Sequence, residues 1–372
     1  MHIKAAVLRH MGAAAPFSQS QPLTIETLEL APPGPGEVLV KIAAAGLCHS
    51  DLSVINGDRP RPMPMALGHE AAGVVVETGP GVQDLTPGDH VILVFMPSCG
   101  ACLPCAEGRP ALCEPGAQAN AKGVLLRGDR RLSCDGVAVN HHLGCSAFAD
   151  HAVVSRHSLV KIGRDLPLPI AALFGCAVLT GVGAVINTGN VRLGQKVAII
   201  GLGGVGLAAL LGARAAGAAE IIAVDLSAEK LAFARELGAT SCIQAGDADA
   251  VAAARGTVDC AIELAGSARA LETAFAMTRR GGTTVTAGFP PPDAVLPVNI
   301  VTLVGEERTL RGSYIGACVP SRDIPRFVAL YQAGRLPVDR LLSGTLALDE
   351  INVGFDRLHA GTAIRQIITF DA

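Results

Sequence analysis

Short apolar runs bounded by Gly, Pro and Asp fill the first third of the chain. KAAVL, EVLVKIAAAG, GVVVETG and HVILVF read as strands, with breakers at Pro33-Gly34-Pro35-Gly36, Gly79-Pro80-Gly81 and Pro87-Gly88-Asp89. This texture predicts a compact, β-rich antiparallel unit. From Gly194 the pattern changes. VAIIGLG reads as a buried strand, GLAALLGARAAG as a helix, EIIAVD as a strand and EKLAFARELG as a helix. The strands TSCIQ, VDCAIELAG and TTVTAG follow. Alternating strand and helix predicts a doubly wound parallel sheet. The last stretch offers a helix-like segment, IPRFVALYQAGRL, and a terminal strand, IRQIITF. No 20–50-residue repeat is visible.

Composition sets the bounds. At 372 residues the chain has material for roughly two domains. Half the residues are hydrophobic and 17% are charged, which excludes a disordered chain. The net charge of −3 offers no basic surface for nucleic acid, and the twelve aromatics leave little for base stacking. The opening MHIKAAVLRHMG lacks an uninterrupted apolar core, so no secretory signal is expected. The longest uncharged apolar run, Val197 to Ala213, is 17 residues and holds five glycines. It is too short to span a membrane. The expectation is a cytoplasmic protein without a membrane or nucleic-acid partner.

That glycine-bearing run contains the pattern G-x-G-x-x-G: Gly201-Leu-Gly203-Gly204-Val205-Gly206, after an apolar strand and opening an apolar helix. In that context Gly201 permits the tight turn and Gly203 lets the backbone approach a pyrophosphate. Gly206 lets helix and strand pack closely, and the helix N-terminus supplies N–H donors. Asp225 follows Gly206 by 19 residues, at the end of EIIAVD, where an acid accepts the adenosine ribose hydroxyls. Its charge would repel a 2′-phosphate, which favours NAD over NADP. The competing reading is a strand-end Asp that caps the next helix.

Four of the eleven cysteines fall within fifteen residues: Cys99-x2-Cys102-x2-Cys105-x7-Cys113. Two-residue spacers bring sulfurs to one point, and four thiolates complete a zinc tetrahedron with no open position. Such a zinc is structural. The rivals are an iron–sulfur cluster, whose final cysteines are spaced differently, and disulfides, which a reducing compartment disfavours. A second set is less obvious. Cys48 lies in GLCHSD, His69 and Glu70 in GHEAAG, and Cys176 in GCAVLTG. Taken alone, each is as well explained as a core residue.

Taken together, GLCHSD (46–51), GHEAAG (68–73), the four cysteines, LGCSAF (143–148), GCAVLTG (175–181), GLGGVG (201–206) and IRQIITF (364–370) resemble the zinc-dependent medium-chain alcohol dehydrogenases, in the family's order. The chain is closest in pattern to the long-loop, liver-type and class III-like branch. The resemblance implies a GroES-like catalytic domain, residues 1–178 completed by 319–372, and a Rossmann NAD-binding domain, residues 179–318. It implies two zinc ions per chain, with Cys48, His69 and Cys176 holding the catalytic one. Glu70 would stand behind that zinc as an occasional ligand, and Asp51 would orient His69. Ser50 would accept the alcohol proton and hydride would pass reversibly between a primary or secondary alcohol and NAD. Read on its own, Ser50 is a local backbone cap. His49 and Arg365 would meet the cofactor pyrophosphate, Gly204 and Val205 would lie in the phosphate turn, and Lys230 would contact a cofactor ribose. Phe95, His142 and Leu143 would line the substrate pocket, with His142 bonding a polar substrate or facing solvent at the mouth. A homodimer would form through the cofactor-domain sheet, with Thr309–Ile315 as the edge strand.

The chain also departs from the pattern. Ser53 stands where a relay histidine is common, so the last proton step would go through water or from the cofactor ribose to solvent. Ala117 stands where the glutathione-dependent formaldehyde branch carries an arginine. That weakens the thiol-adduct alternative. A third reading, a non-catalytic NAD(H)-binding protein, is disfavoured because Cys48, His69, Cys176 and Ser50 are all present.

Overall fold

The structure, a computed structural model, describes residues 1–370. Its internal contacts divide the chain into two units. The first comprises Met1–Cys176, Val319–Pro325 and the segment from Leu342 onward; the second comprises Ala177–Cys318 and Arg326–Leu341. Residues 326–341 thus depart from the expected boundary at 318. The helix Pro320–Gln332 crosses between units. After it, the turn Val338–Leu341 packs on the helix Gly204–Ala215, with Leu336, Val338 and Leu341 buried and Arg340 donating to the Glu236 carbonyl.

The first unit is a closed barrel plus a seven-stranded sheet. The barrel joins His2–Leu8, Leu23–Leu30, Leu132–Cys134, Val137–His141 and Met65–Ala66, and its interior is filled by Ile3, Val7, Leu28, Leu30 and Val139 among others. In the sheet, Glu37–Gly46 is central. It pairs antiparallel with Ala71–Thr78, His151–Ser155 and Arg365–Thr369. Its sequence, EVLVKIAAAG, is apolar or small at most positions, and most of it is buried. A strand covered on both faces loses the alternation that a half-exposed strand shows. At its end, a Cβ on Gly46 would collide with the Glu70 side chain, so glycine is required for the two to cross. The chain then turns through Cys48 into the helix His49–Ile55.

The second unit carries a six-stranded, all-parallel sheet in the order Ser241–Gln244, Glu220–Asp225, Lys196–Ile200, Val258–Glu263, Thr278–Thr286, Thr309–Gly312. The order reverses between Lys196–Ile200 and Val258–Glu263. That makes the carboxyl end of Lys196–Ile200 a topological switch point, the place where open α/β sheets bind ligands. The apolar run at Val197–Ala213 resolves into this strand and the helix Gly204–Ala215. Among the described residues no single helix is long and apolar enough to cross a membrane. Thr309–Gly312 is an edge strand as expected and is exposed throughout; Ser313 to Ile315 leave the sheet.

Candidate active site and metal centres

The four thiols Cys99, Cys102, Cys105 and Cys113 converge, with all sulfurs within 4.8 Å of one another. Backbone amides point at them. Cys99 N–H donates to Cys113 Sγ at 3.1 Å, Cys102 N–H to Cys99 Sγ at 3.3 Å and Gly116 N–H to Cys113 Sγ at 3.4 Å. Amides aimed at sulfur favour the thiolate, and the Ala101 and Cys102 amides bring the Cys99 thiol down to about 7. The donor set fits a closed tetrahedral zinc site.

The second cluster is assembled from remote positions. Cys48 precedes the helix His49–Ile55, His69 follows the turn at Gly68, and Cys176 closes the short turn Leu173–Gly175. Their ligand atoms lie within 4.8 Å of one another, and all three residues are buried. A hydrogen bond from Cys176 holds Cys48 well below its ordinary pKa and raises Cys176. His69 turns Nδ1 to Asp51 Oδ1 at 3.1 Å, which leaves its buried Nε2 without a hydrogen-bond partner. A buried imidazole nitrogen is costly without a partner. Its place beside two sulfurs fits a Cys2His metal site with a fourth position open.

Around this cluster lies a second layer. Asp51 is fully buried; its Oδ1 also accepts the Gly68 N–H at 3.2 Å. Burial pushes Glu70 up to about 7, an effect the Arg365 guanidinium only partly offsets. Glu70 Oε2 lies 3.4 Å from Arg365 Nη1, which also donates to the Leu47 carbonyl at 3.3 Å. Arg365 is buried, with its guanidinium against Glu70 and the Leu47 carbonyl. Phe95 presents its ring edge-on to His69 at 5.3 Å between centroids. Leu143 is buried nearby in sequence with a positive φ of 51°. His142 does not face solvent: it is 1% exposed, and its Nδ1 lies 3.1 Å from Asp51 Oδ1. Ser50 lies half-buried in the first turn after Cys48. Ser53 Oγ donates to the His49 carbonyl at 2.8 Å, so its hydroxyl is already engaged. Sequence reasoning missed Asn120. Its buried amide donates to the Phe95 carbonyl at 2.9 Å from the helix Glu114–Lys122, which Cys113 caps. A partner 25 residues away leaves no local signal.

In the second unit the glycine turn has the expected geometry. Gly201 has φ +91°, and a Cβ at Gly206 would collide with the Gly201 carbonyl. Nothing lies within 4 Å of a Cβ at Gly203, so space remains for a ligand against the backbone. Gly204 and Val205 open the helix Gly204–Ala215. Asp225 accepts from Leu202 N–H at 2.7 Å and Ser227 N–H at 2.9 Å, which ties the turn to the next helix. Ser227, not Asp225, is the cap of that helix, receiving the Lys230 N–H at 3.3 Å. Glu263, also missed, is a buried acid at the end of Val258–Glu263; it accepts from Gly266 N–H and from Thr286 Oγ1. His49 belongs to the first unit and is exposed.

Comparison with known proteins agrees with both halves. The family described as alcohol dehydrogenase GroES-like domain matches residues 34–164, and the zinc-binding dehydrogenase family matches residues 204–333. The "Putative alcohol dehydrogenase D" of Mycobacterium tuberculosis is 40% identical, over 96% of this chain and 98% of its own length. Two crystal structures superpose over the full length of both chains. An alcohol dehydrogenase zinc-binding domain protein from Burkholderia ambifaria is 36% identical with a TM-score of 0.94. The benzyl alcohol dehydrogenase of Acinetobacter calcoaceticus is 34% identical with a TM-score of 0.93. The chain belongs to the zinc-dependent medium-chain alcohol dehydrogenase family and is an oxidoreductase of that family.

Proposed function

We propose that the protein catalyses reversible hydride transfer between a primary or secondary alcohol and NAD, with two zinc ions per chain. The observation that carries the reading is the convergence of Cys48, Cys176 and the unpartnered Nε2 of His69 at one buried point. A zinc ion held there supplies Lewis acidity, which brings an alcohol's pKa towards neutrality and polarises an aldehyde or ketone in reverse. The chain's own groups do the rest. Asp51 holds the His69 ring by its Nδ1, so that Nε2 faces the two sulfurs. Phe95 and Leu143 present apolar surface to the substrate. Ser50 takes the substrate proton on Oγ and releases its own, which needs no net charge on the residue. Because Ser53 Oγ is bound to the His49 carbonyl, the proton leaves through water or the cofactor ribose rather than through residue 53.

The glycine turn and Asp225 hold the cofactor on the second unit, and the carboxylate disfavours a 2′-phosphate, hence NAD rather than NADP. His49 and Lys230 offer N–H donors to the cofactor phosphate and ribose. Arg365, whose guanidinium also meets Glu70, is a cationic group for the cofactor pyrophosphate. Two further parts of the reading are a homodimer and a cytoplasmic location. The exposed edge strand Thr309–Gly312 and the exposed Ile300, Val301 and Val304 support the first. All eleven cysteines being free supports the second.

The test is NADH formation by the zinc-replete chain with a panel of primary, secondary and aromatic alcohols, with and without glutathione. Benzyl alcohol comes first, because the similar Acinetobacter protein is a benzyl alcohol dehydrogenase. Turnover without thiol supports the proposal. Turnover that needs glutathione would establish the thiol-adduct reaction despite Ala117. Turnover with NADP alone would overturn the role given to Asp225.

A further inference from the structure

Asp51 has two imidazoles against it, and the function above uses only one. His69 Nδ1 and His142 Nδ1 each lie 3.1 Å from Asp51 Oδ1. The two rings stand nearly perpendicular, at 86°, with centroids 5.6 Å apart. His142 is held in place from its backbone. Its N–H donates to Ser146 Oγ at 2.9 Å, which donates onward to the Ala66 carbonyl at 2.8 Å. Its carbonyl accepts from the Cys145 and Ser146 amides at 3.0 and 3.2 Å. The tight turn therefore presents the imidazole to Asp51 as a built feature. His69 Nδ1 lies 3.1 Å from Asp51 Oδ2 as well, so its ring straddles the carboxylate, while His142 Nδ1 approaches Oδ1 alone. Both imidazoles and the carboxylate are buried, and a buried carboxylate is costly without donors.

We propose that His142 is a positioning residue: it shares the Asp51 carboxylate with His69 and thereby limits how strongly Asp51 pulls on the His69 Nδ1–H. A carboxylate bonded to the far nitrogen of a ligating histidine raises that histidine's donor strength. A second N–H on the same carboxylate draws off part of its charge. His69 Nε2 would then be a weaker donor to a metal held with Cys48 and Cys176, which would supply stronger Lewis acidity. A phenyl ring at position 142 fills the space but returns the whole carboxylate to His69. The inference rests on the reading of Cys48, His69 and Cys176 as a metal site.

The experiment is chelator competition on the full zinc-loaded chain, comparing wild type, His142→Phe, His142→Asn and Asp51→Asn. The four-thiol zinc is the internal reference. Asp51→Asn is expected to weaken the other zinc by about 10–100-fold, the usual cost of losing such a carboxylate. His142→Phe is expected to tighten it by about threefold to tenfold, a fraction of that effect with the opposite sign. His142→Asn keeps an N–H donor and should stay near wild type. A His142→Phe affinity equal to or weaker than wild type would overturn the proposal. In the unaltered chain, nitrogen-15 NMR of the zinc-loaded protein should show the His142 proton on Nδ1; a proton only on Nε2 would overturn it without any variant. A wild-type chain with a single tight zinc, unaffected by Asp51→Asn, would instead bring down the metal-site reading beneath it.

Discussion

The two ligand clusters of the first unit are built in opposite ways. The four thiols come from one fifteen-residue loop, three of them half-exposed, and backbone amides supply their second layer. The three-ligand cluster comes from three distant segments, is wholly buried, and is backed by charged and polar side chains: Asp51, His142, Glu70 and Arg365. The difference follows from what each has to do. A closed site only has to hold its ion, and a local loop with two-residue spacers suffices. A site with an open position must fix orientation, basicity and access, and that takes outer-layer groups which no single segment can provide.

The comparison breaks most sharply at Cys48. Cys48→Ser is expected to lower kcat/KM by about 10³-fold or more, because the Lewis acid it removes supplies several kcal/mol of charge stabilisation. Only one of the two zincs should be lost, and NADH binding should survive; zinc analysis, steady-state kinetics and NADH fluorescence read these three. If NADH binding vanishes while both zincs stay, Cys48 has been misassigned.

Cys102→Ser should do the reverse. Loss of a structural metal belongs to the large single-site effects, about 4 kcal/mol, and lowers Tm by roughly 8–16 °C for a unit of this size. Below the new Tm, kcat should remain close to wild type. An equal collapse of kcat at 20 °C would show that the four-thiol loop also shapes the reacting site.

Asn120 is the physical link that such a collapse would use. It sits on the helix Glu114–Lys122, capped by Cys113, and its amide holds the backbone carbonyl of Phe95, the residue whose ring meets His69. Asn120→Ala is expected to cost about 1–3 kcal/mol in urea unfolding, the price of an unsatisfied buried carbonyl. Both metals should stay bound, with KM for the alcohol rising before kcat falls. An unchanged KM would make the two clusters independent.

An effect of similar size, seen only in acid, concerns His141. Burial, with Arg130 and Arg131 nearby, lowers the His141 pKa from 6.5 to about 3. Its Nε2 accepts the Arg131 N–H at 3.0 Å, so the folded state keeps it neutral. Between these two pKa values the unfolded chain binds the extra proton, so stability falls as pH drops below 6.5. At pH 5 the loss is about 2 kcal/mol, from 1.36 kcal/mol per unit over roughly 1.5 units. His141→Gln keeps an acceptor and should flatten the Tm profile between pH 7 and 5. If acid sensitivity is unchanged in that variant, protonation of the metal ligands accounts for it instead.

Much of this was legible in the chain. The strand EVLVKIAAAG occupies the residues its pattern indicated, and the glycine turn and terminal strand lie where they were expected. Helix and strand periods and close-approach glycines act over a few residues, so sequence carries them. The converged four-thiol site follows from spacing for the same reason. The contacts without a local signal are long-range. His142, expected in the substrate pocket either bonding a polar substrate or facing solvent, is buried against the carboxylate of Asp51, far away in sequence. Arg365 meets Glu70 across 295 residues. Residues 326–341 joined the second unit because Leu336, Val338 and Leu341 found burial there.

By itself the sequence determined which elements form, where the glycine turn lies, and that four thiols share one loop, because each depends on neighbours along the chain. Only the tertiary structure decided which buried charges face one another. Burial makes every carboxylate, imidazole and guanidinium seek a partner. Which partner it finds is set by how strands far apart in sequence cross. Asp51 between His69 and His142, and Glu70 beside Arg365, are products of that crossing.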